Sequence, residues 1–221
     1  AELEFFRGVA YYTAGQFPEA LESFQRVIEL DDSNVPGAIF RAGVFAKLGQ
    51  FDRVKGSLRV IRDADPLGYR REHRVRPMWA PIPSMSGVCR DIGSGLVDVN
   101  FDPELFGLAG AVCYHAGDTD RAARYLKRSA DDDPREWMPA LYMALLDRDQ
   151  GKLDKAAEHL DRLTSEHRDV PAFRLIEGDV ALERDDLALA ERCYTHVLQY
   201  ERDLAWGHSQ LGQTFARTER L

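Results

Sequence analysis

Apolar and small residues recur along the chain in fixed columns, separated by stretches that are mostly polar. A small residue returns every 34 residues, with one place skipped, at Gly8, Ala42, Gly110, Ala144, Gly178 and Gly212. Twelve places after each of the first five lies an Ala or Val, and four places further on comes a large apolar residue. A period of this length is typical of helical repeat arrays, in which each unit buries its apolar face against a neighbour.

Each unit is predicted to be a pair of antiparallel helices joined by a turn. In the first unit, Gly8 and Ala20 are small enough for two helices to approach closely, and Phe24 fills the space beside that contact. Gly15 lies between them and suits the left-handed conformation that ends a helix. In the other units the same place is occupied by Gly49, Gly117, Gly151 and Asp185. The pattern therefore predicts helix, turn and helix in every unit.

These columns resemble the tetratricopeptide repeat, in which a small residue is followed by an aromatic residue, then Ala, an aromatic residue and Pro. The segment GVAYYTAGQFPEALESFQRVIELD carries the closest match. The resemblance implies an all-α fold, a right-handed α-solenoid of antiparallel helix pairs. It also implies two repeats over 1–68, three repeats over 103–204 and the first helix of a sixth, truncated repeat over 205–221.

Residues 69–102 break the columns. Prolines that would interrupt a regular helix stand at Pro77, Pro81 and Pro83. Further on, Val88, Ile92 and Leu96 recur every four residues, as one face of a helix would. Two interpretations stay open: a degenerate repeat that keeps only its second helix, or an irregular Pro/Arg-rich insertion whose length coincides with one repeat.

The same segment contains the densest group of basic side chains, at Arg70, Arg71, Arg74 and Arg76. Guanidinium groups suit carboxylates and phosphates, so this patch is a candidate site for an acidic or phosphorylated partner. The alternative is a solvated face, neutralised by acidic side chains of the same chain.

In arrays of the family that the chain resembles, the first helix of each pair lines the concave face. The resemblance therefore implies a groove made by the second, fifth, ninth, twelfth and thirteenth places of each repeat, including Lys47. The groove residues that we expect to contact a partner are Phe5, Val9, Tyr12, Ile39, Tyr114, Leu141, Asp149, Asp179 and Glu183. They predict a protein or peptide partner with an apolar amphipathic segment, its basic end toward the acidic residues.

Composition limits the other classes of partner. A formal net charge of −8 argues against general nucleic-acid binding, which needs a basic face. The sequence has no uninterrupted apolar run long enough to predict a membrane span. The cysteines, Cys89, Cys113 and Cys193, form no CxxC pair, which favours buried thiols and a cytoplasmic location over a disulfide framework.

Nothing in the sequence predicts catalysis, a cofactor or a metal site. HExxH, phosphate-loop and GxSxG motifs are absent, and the histidines lack metal-ligand spacing. We therefore expect a non-catalytic protein-binding scaffold, or adaptor. Two alternatives stay open: the substrate-recruiting portion of a larger enzyme, and a self-assembling scaffold that uses Leu211 and Phe215 of the terminal helix.

Overall fold

The computed structural model describes residues 1–32, 34–63, 85–95, 102–161, 163 and 170–218. These residues divide into two compact units, the first within 1–63 and 85–134 and the second within 135–218. Twelve α-helices and no strand are found in this part of the chain. The predicted all-α helical repeat fold is confirmed.

The first unit contains three helix pairs and one additional helix. The pairs are α1 (Glu2–Thr13) with α2 (Phe17–Leu30), α3 (Val35–Lys47) with α4 (Phe51–Asp63), and α6 (Pro103–His115) with α7 (Thr119–Asp132). The additional helix is α5 (Met85–Gly95), which packs mainly against α3 and also contacts α6. Helix α4 packs against α6 as well.

The second unit is built from the same kind of helix pair. It contains α8 (Trp137–Asp149) with α9 (Leu153–Asp161), α10 (Pro171–Glu183) with α11 (Leu187–Tyr200), and α12 (Ala205–Arg217), which packs against α11. Across the described parts of both units, every helix is too short or too polar to cross a lipid bilayer. The repeat boundaries themselves stay a prediction.

The turns inside the helix pairs have the conformation that the sequence predicts. Gly15 has a φ of 76°, and the equivalent Gly49, Gly117 and Gly151 lie between 68° and 75°. Asp185, which replaces glycine in the last of these turns, also has a positive φ of 66°. An Asp tolerates this region better than most residues with a Cβ, so the exception keeps the same turn.

At Gly8 and Gly178, the small-residue column lies where the two helices of a pair pack closely. A Cβ added to Gly8 would lie 2.6 Å from the ring of Phe24, and one added to Gly178 would lie 2.8 Å from the ring of Tyr194. Both rings are fully buried and cannot move aside. The predicted contact between Gly8 and the second helix is therefore confirmed.

Candidate binding surfaces

Four aromatic rings pack together beneath the inward places of α1 and α3 in the first unit. Phe24 and Phe40 stack with their ring centroids 5.4 Å apart. Phe5 and Tyr12 of α1 meet Phe40 of α3 edge-on, at 5.5 and 5.8 Å. Aromatic pairs contribute about 0.5–1.5 kcal/mol each beyond their buried area. These contacts hold α1 and α3 side by side.

Five residues at inward places of α1 and α3 are called here the first inner surface: Val9, Tyr12, Ile39, Gly43 and Lys47. Helix α5 lies against this surface. A Cβ on Gly43 would come 2.8 Å from Val88 Cγ1 of α5, so the bare backbone of Gly43 receives this branched side chain. Met85, Val88 and Ile92 of α5 are all exposed by 1% or less. The predicted helix face at Val88 and Ile92 is confirmed, while Leu96 lies outside the described residues.

One carboxylate of α5 contacts both helices of the first inner surface. Asp91 Oδ1 lies 2.8 Å from Lys47 Nζ, and the Tyr12 hydroxyl donates a short hydrogen bond to Asp91 Oδ2. Burial, reinforced by this hydrogen bond, raises the pKa of Tyr12 well above its usual value, so the hydroxyl stays protonated as a donor. Sequence reasoning identified Tyr12 and Lys47 as inward residues. It missed Asp91, because an acidic residue in an irregular segment does not indicate which surface it meets.

A disulfide joins α5 to α6. Cys89 and Cys113 are paired with their Cα atoms 5.0 Å apart, and both side chains are fully buried. The expectation that the cysteines are free thiols is therefore wrong for this pair. The spacing of Cys89 and Cys113 in the sequence could not predict this pairing, because α5 and α6 meet only through tertiary packing. Cys193 is a buried thiol as expected, and burial is the main cause that raises its pKa to about 12.

The second unit carries a charged cluster around Arg148. Arg148 Nη1 lies 3.3 Å from Asp179 Oδ2, and Arg148 Nη2 lies 3.6 Å from Asp149 Oδ1. Arg148 Nε is 3.7 Å from Glu183 Oε1. The side chains of Asp149 and Glu183 are 44% and 47% exposed, so a binding partner can reach both carboxylates. Three carboxylates surround one guanidinium, and the cluster has an excess of negative charge.

Asp179 is the internal member of this cluster. It is 4% exposed, and its Oδ1 accepts hydrogen bonds from the Tyr194 hydroxyl at 2.9 Å and from Gln210 Nε2 at 3.3 Å. Its other oxygen holds Arg148 in place. Asp179 therefore positions Arg148 between the two exposed carboxylates.

The pKa of Glu183 is raised above its usual value. Partial burial is the main cause, the charges of Asp179 and Asp149 add to it, and Arg148 acts in the opposite direction. A cation placed beside Glu183 would favour its ionised form. The exposed edge of this cluster is thus suited to a basic side chain.

Comparison with known sequences agrees with the helix pairs. Two profiles of the tetratricopeptide repeat match the chain, one over residues 1–34 and one over 141–195. The chain contains tetratricopeptide repeats in both matched segments. Repeats of this family generally mediate protein–protein interaction and form non-catalytic scaffolds.

Individual relatives resemble only part of the sequence or only the fold. Superkiller complex protein 3 of Homo sapiens is 28% identical over 99 residues, which is 44% of this chain and 6% of that protein. YrrB, a TPR protein with an unusual peptide-binding site, has a TM-score of 0.52 at 12% identity, covering 91% of this chain and 87% of that chain. PilW, a type IV pilus biogenesis factor, has a TM-score of 0.52 at 15% identity, covering 95% and 97%.

The predicted groove residues fall into four groups. Tyr12 is buried beneath α5, whereas Phe5, Val9 and Tyr114 are half-buried. Ile39 and Leu141 have no exposed surface and contribute to the cores of their units. The remaining three form the Arg148 cluster. The candidate patch at Arg70, Arg71, Arg74 and Arg76 lies outside the described residues.

Proposed function

We propose that this chain is a non-catalytic protein-binding scaffold that captures an amphipathic helix of a partner protein. The observation that carries the proposal is the position of α5. A short helix already lies on the inward places of α3, and it places an apolar side chain on Gly43 and a carboxylate between Lys47 and Tyr12. A surface that seats one helix in this way has the shape and chemistry to seat another.

The two halves of that contact have different roles. Val88 and Ile92 leave water almost completely, and fully burying such a side chain stabilises a contact by about 1.5–3 kcal/mol. The carboxylate of Asp91 has partners at fixed positions, so it sets the direction and register of the bound helix. Apolar burial thus supplies affinity, and the polar contacts supply specificity.

The Arg148 cluster of the second unit suits a different part of a partner. Its exposed carboxylates, Asp149 and Glu183, can receive Lys or Arg side chains, while Asp179 holds Arg148 from the interior. Exposed charge pairs of this kind contribute about 0–1 kcal/mol each. We therefore assign this edge a role in selecting basic segments, with little contribution to affinity.

Site-specific photo-cross-linking tests the proposal. A photoreactive residue is introduced at Val9 on the first inner surface, at Glu183 on the Arg148 cluster, or at Glu22, an exposed control position on α2. In an extract of the native cell, Val9 or Glu183 should cross-link a partner protein that Glu22 does not. Equal labelling from all three positions would contradict binding through these surfaces. Cross-links only between copies of the chain would indicate self-assembly.

A cytoplasmic location stays a prediction of the sequence. Disulfides persist in oxidising compartments, whereas in most cytosols cysteines are kept as reduced thiols. The compartment therefore decides whether Cys89 and Cys113 are joined. Thiol labelling of the protein isolated under acid quench would show which state is present in the cell.

A further inference from the structure

We infer that α5 is a removable occupant of the first inner surface, locked there by the Cys89–Cys113 disulfide, and that a partner helix binds by replacing it. This inference rests on the proposed function, since it names the ligand of the same surface and what controls access to it. Four features of the described residues carry it.

The first feature is the pattern of side chains that α5 presents. Val88, Asp91 and Ile92 stand at places i, i+3 and i+4, which share one face of a helix. Gly43 receives the first of these side chains, and Lys47 with Tyr12 receives the second. The ligand of this surface is therefore an amphipathic helix with a branched apolar residue, an acidic residue three places later and an apolar residue next to it.

The second feature is the weak helix propensity of α5. Its sequence, MSGVCRDIGSG, has three glycines in 11 residues. Glycine is one of the weakest helix formers, and isolated helices of this length are marginal. A Cβ on Gly93 would clash with Tyr125 of α7, so close packing requires that glycine, whereas Gly87 has no neighbour within 4 Å of an added Cβ among the described residues. Helix α5 keeps its form because it is docked, and it unfolds on release.

The third feature is a direct contact between the helix pairs on either side of α5. Lys55 Nζ of α4 lies 2.7 Å from Asp102 Oδ2 and 2.5 Å from Glu104 Oε2, at the start of α6. Arg62 Nη1 lies 3.0 Å from Glu104 Oε1. Helix α4 also packs directly against α6, and the ion pairs add to a contact in which α5 takes no part. Release of α5 therefore uncovers the first inner surface without separating the pairs.

The fourth feature is the disulfide itself. It ties the middle of α5 to α6, which keeps the effective concentration of α5 at its seat high. Reduction breaks the S–S bond: a dithiol reductant gives up two electrons and two protons and becomes a disulfide, while Cys89 and Cys113 become thiols. Because both sulfurs are buried, reduction proceeds slowly, through local fluctuations that expose the disulfide before α5 is released. A partner that holds α5 away from its seat then prevents the disulfide from reforming.

Competition sets the size of the effect. The apparent Kd of a partner equals its intrinsic Kd divided by the fraction of molecules with a vacant surface. An occupant that is docked nine-tenths of the time weakens apparent binding about tenfold. We therefore expect the apparent affinity of a partner helix to increase at least about tenfold when the disulfide is opened.

The test uses the full chain and a synthetic probe. The probe is a fluorescein-labelled peptide with the sequence of residues 85–95, in which Cys89→Ala and Gly87→Ala remove the thiol and one helix-breaking residue. Fluorescence anisotropy compares the oxidised chain, the chain with a dithiol reductant, and the Cys89→Ser/Cys113→Ser variant. The reduced chain and the cysteine variant should bind the probe at least about tenfold more tightly than the oxidised chain does. Cys193→Ser should leave the affinity of the oxidised chain unchanged.

A charge exchange identifies the surface. Lys47→Glu should weaken binding of the probe several-fold in every redox state, because the new carboxylate would repel the one that Lys47 attracts. A probe that carries Asp91→Lys should recover the lost affinity on this variant and bind the parent chain more weakly. Hydrogen exchange on the same samples should show faster exchange in α5 after reduction, with α1–α4 still protected. This measurement also shows whether the cysteine variant is folded.

The possible failures are separable. Equal probe affinity in the oxidised and reduced chains would overturn the lock, and α5 amides as protected after reduction as those of α3 would overturn removability. If no state binds the probe while cross-linking from Val9 captures a partner, this inference fails and the proposed function stands. If cross-linking fails as well, both fail.

Discussion

Lys47 Nζ lies 2.8 Å from Asp91 Oδ1 across the contact between α3 and α5. Lys47 belongs to the repeated pattern and Asp91 to the segment that interrupts it. Their side chains are 40% and 16% exposed, and exposed ion pairs contribute only about 0.2–1 kcal/mol. The pair is therefore too weak to hold α5 by itself. Its main effect is to discriminate among helices, while Val88 and Ile92 provide most of the stabilisation.

Gly43→Ala should loosen α5. The new Cβ would lie 2.8 Å from Val88 Cγ1, and such overpacking destabilises by about 1–3 kcal/mol. Hydrogen exchange should show faster exchange in α5 than in α1 and α2. Gly56→Ala on α4 is the matched control: its Cβ meets nothing within 4 Å among the described residues, so it should stabilise by about 0.5–1 kcal/mol. Equal protection of α5 in both variants would refute the proposed contact.

Gly8→Ala tests the register of the repeat. Its Cβ would meet the buried ring of Phe24 at 2.6 Å, so the free energy of unfolding should fall by about 1–3 kcal/mol. Gly212 stands in the same column, yet a Cβ there has no neighbour within 4 Å in the described part of the chain. Gly212→Ala should therefore be neutral or slightly stabilising. Urea denaturation compares the two, and similar losses of stability would count against the register.

Asp179→Ala should destabilise the second unit by about 1–3 kcal/mol for each buried donor that loses this acceptor, which are the Tyr194 hydroxyl and the Gln210 amide. Tyr194→Phe removes one hydrogen bond to the same carboxylate and should cost about 0.5–1.5 kcal/mol, or up to 3 because the acceptor is charged. Asp149→Ala, at an exposed member of the cluster, should change stability by less than about 0.5 kcal/mol. Thermal and urea unfolding measure all three. A loss at Asp149 as large as that at Asp179 would mean that the buried and exposed carboxylates are not distinct.

The free energy of unfolding should decrease as the pH is lowered, because of His115. Desolvation of the half-buried His115 lowers its pKa to about 3, whereas a histidine in the unfolded chain titrates near 6.5. Between these values the unfolded state binds a proton that the folded state excludes. The stabilisation is therefore complete above pH 6.5 and decreases as the pH falls toward 3, by up to about 1.4 kcal/mol per pH unit.

The comparison of the parent chain with His115→Gln isolates this contribution. The variant cannot take up that proton, so the difference between the two free energies of unfolding should change progressively from pH 7 to pH 4. Urea titrations at each pH measure it. A difference that does not depend on pH would show that folding does not lower the pKa of His115.

Much of the fold could be predicted because its determinants act within one helix pair. A left-handed turn at Gly15 and the lack of a Cβ at Gly8 are steric properties of single residues. The 34-residue period then repeats them along the chain. Burial was harder to predict at inward places. Ile39 and Leu141 fit the pattern of a groove, but their exposure depends on the helices that pack over them.

The sequence by itself determined the helix pairs, their turns and the likeness to the tetratricopeptide repeat, because these follow from sterics and packing between residues close together in the chain. Only the tertiary structure decided that α5 covers the first inner surface, that Cys89 pairs with Cys113, and that Asp179 is internal while Glu183 is exposed. Each of these depends on contacts between helices that no local pattern connects. Their physical basis is the packing of whole elements, which brings distant side chains within a few ångströms.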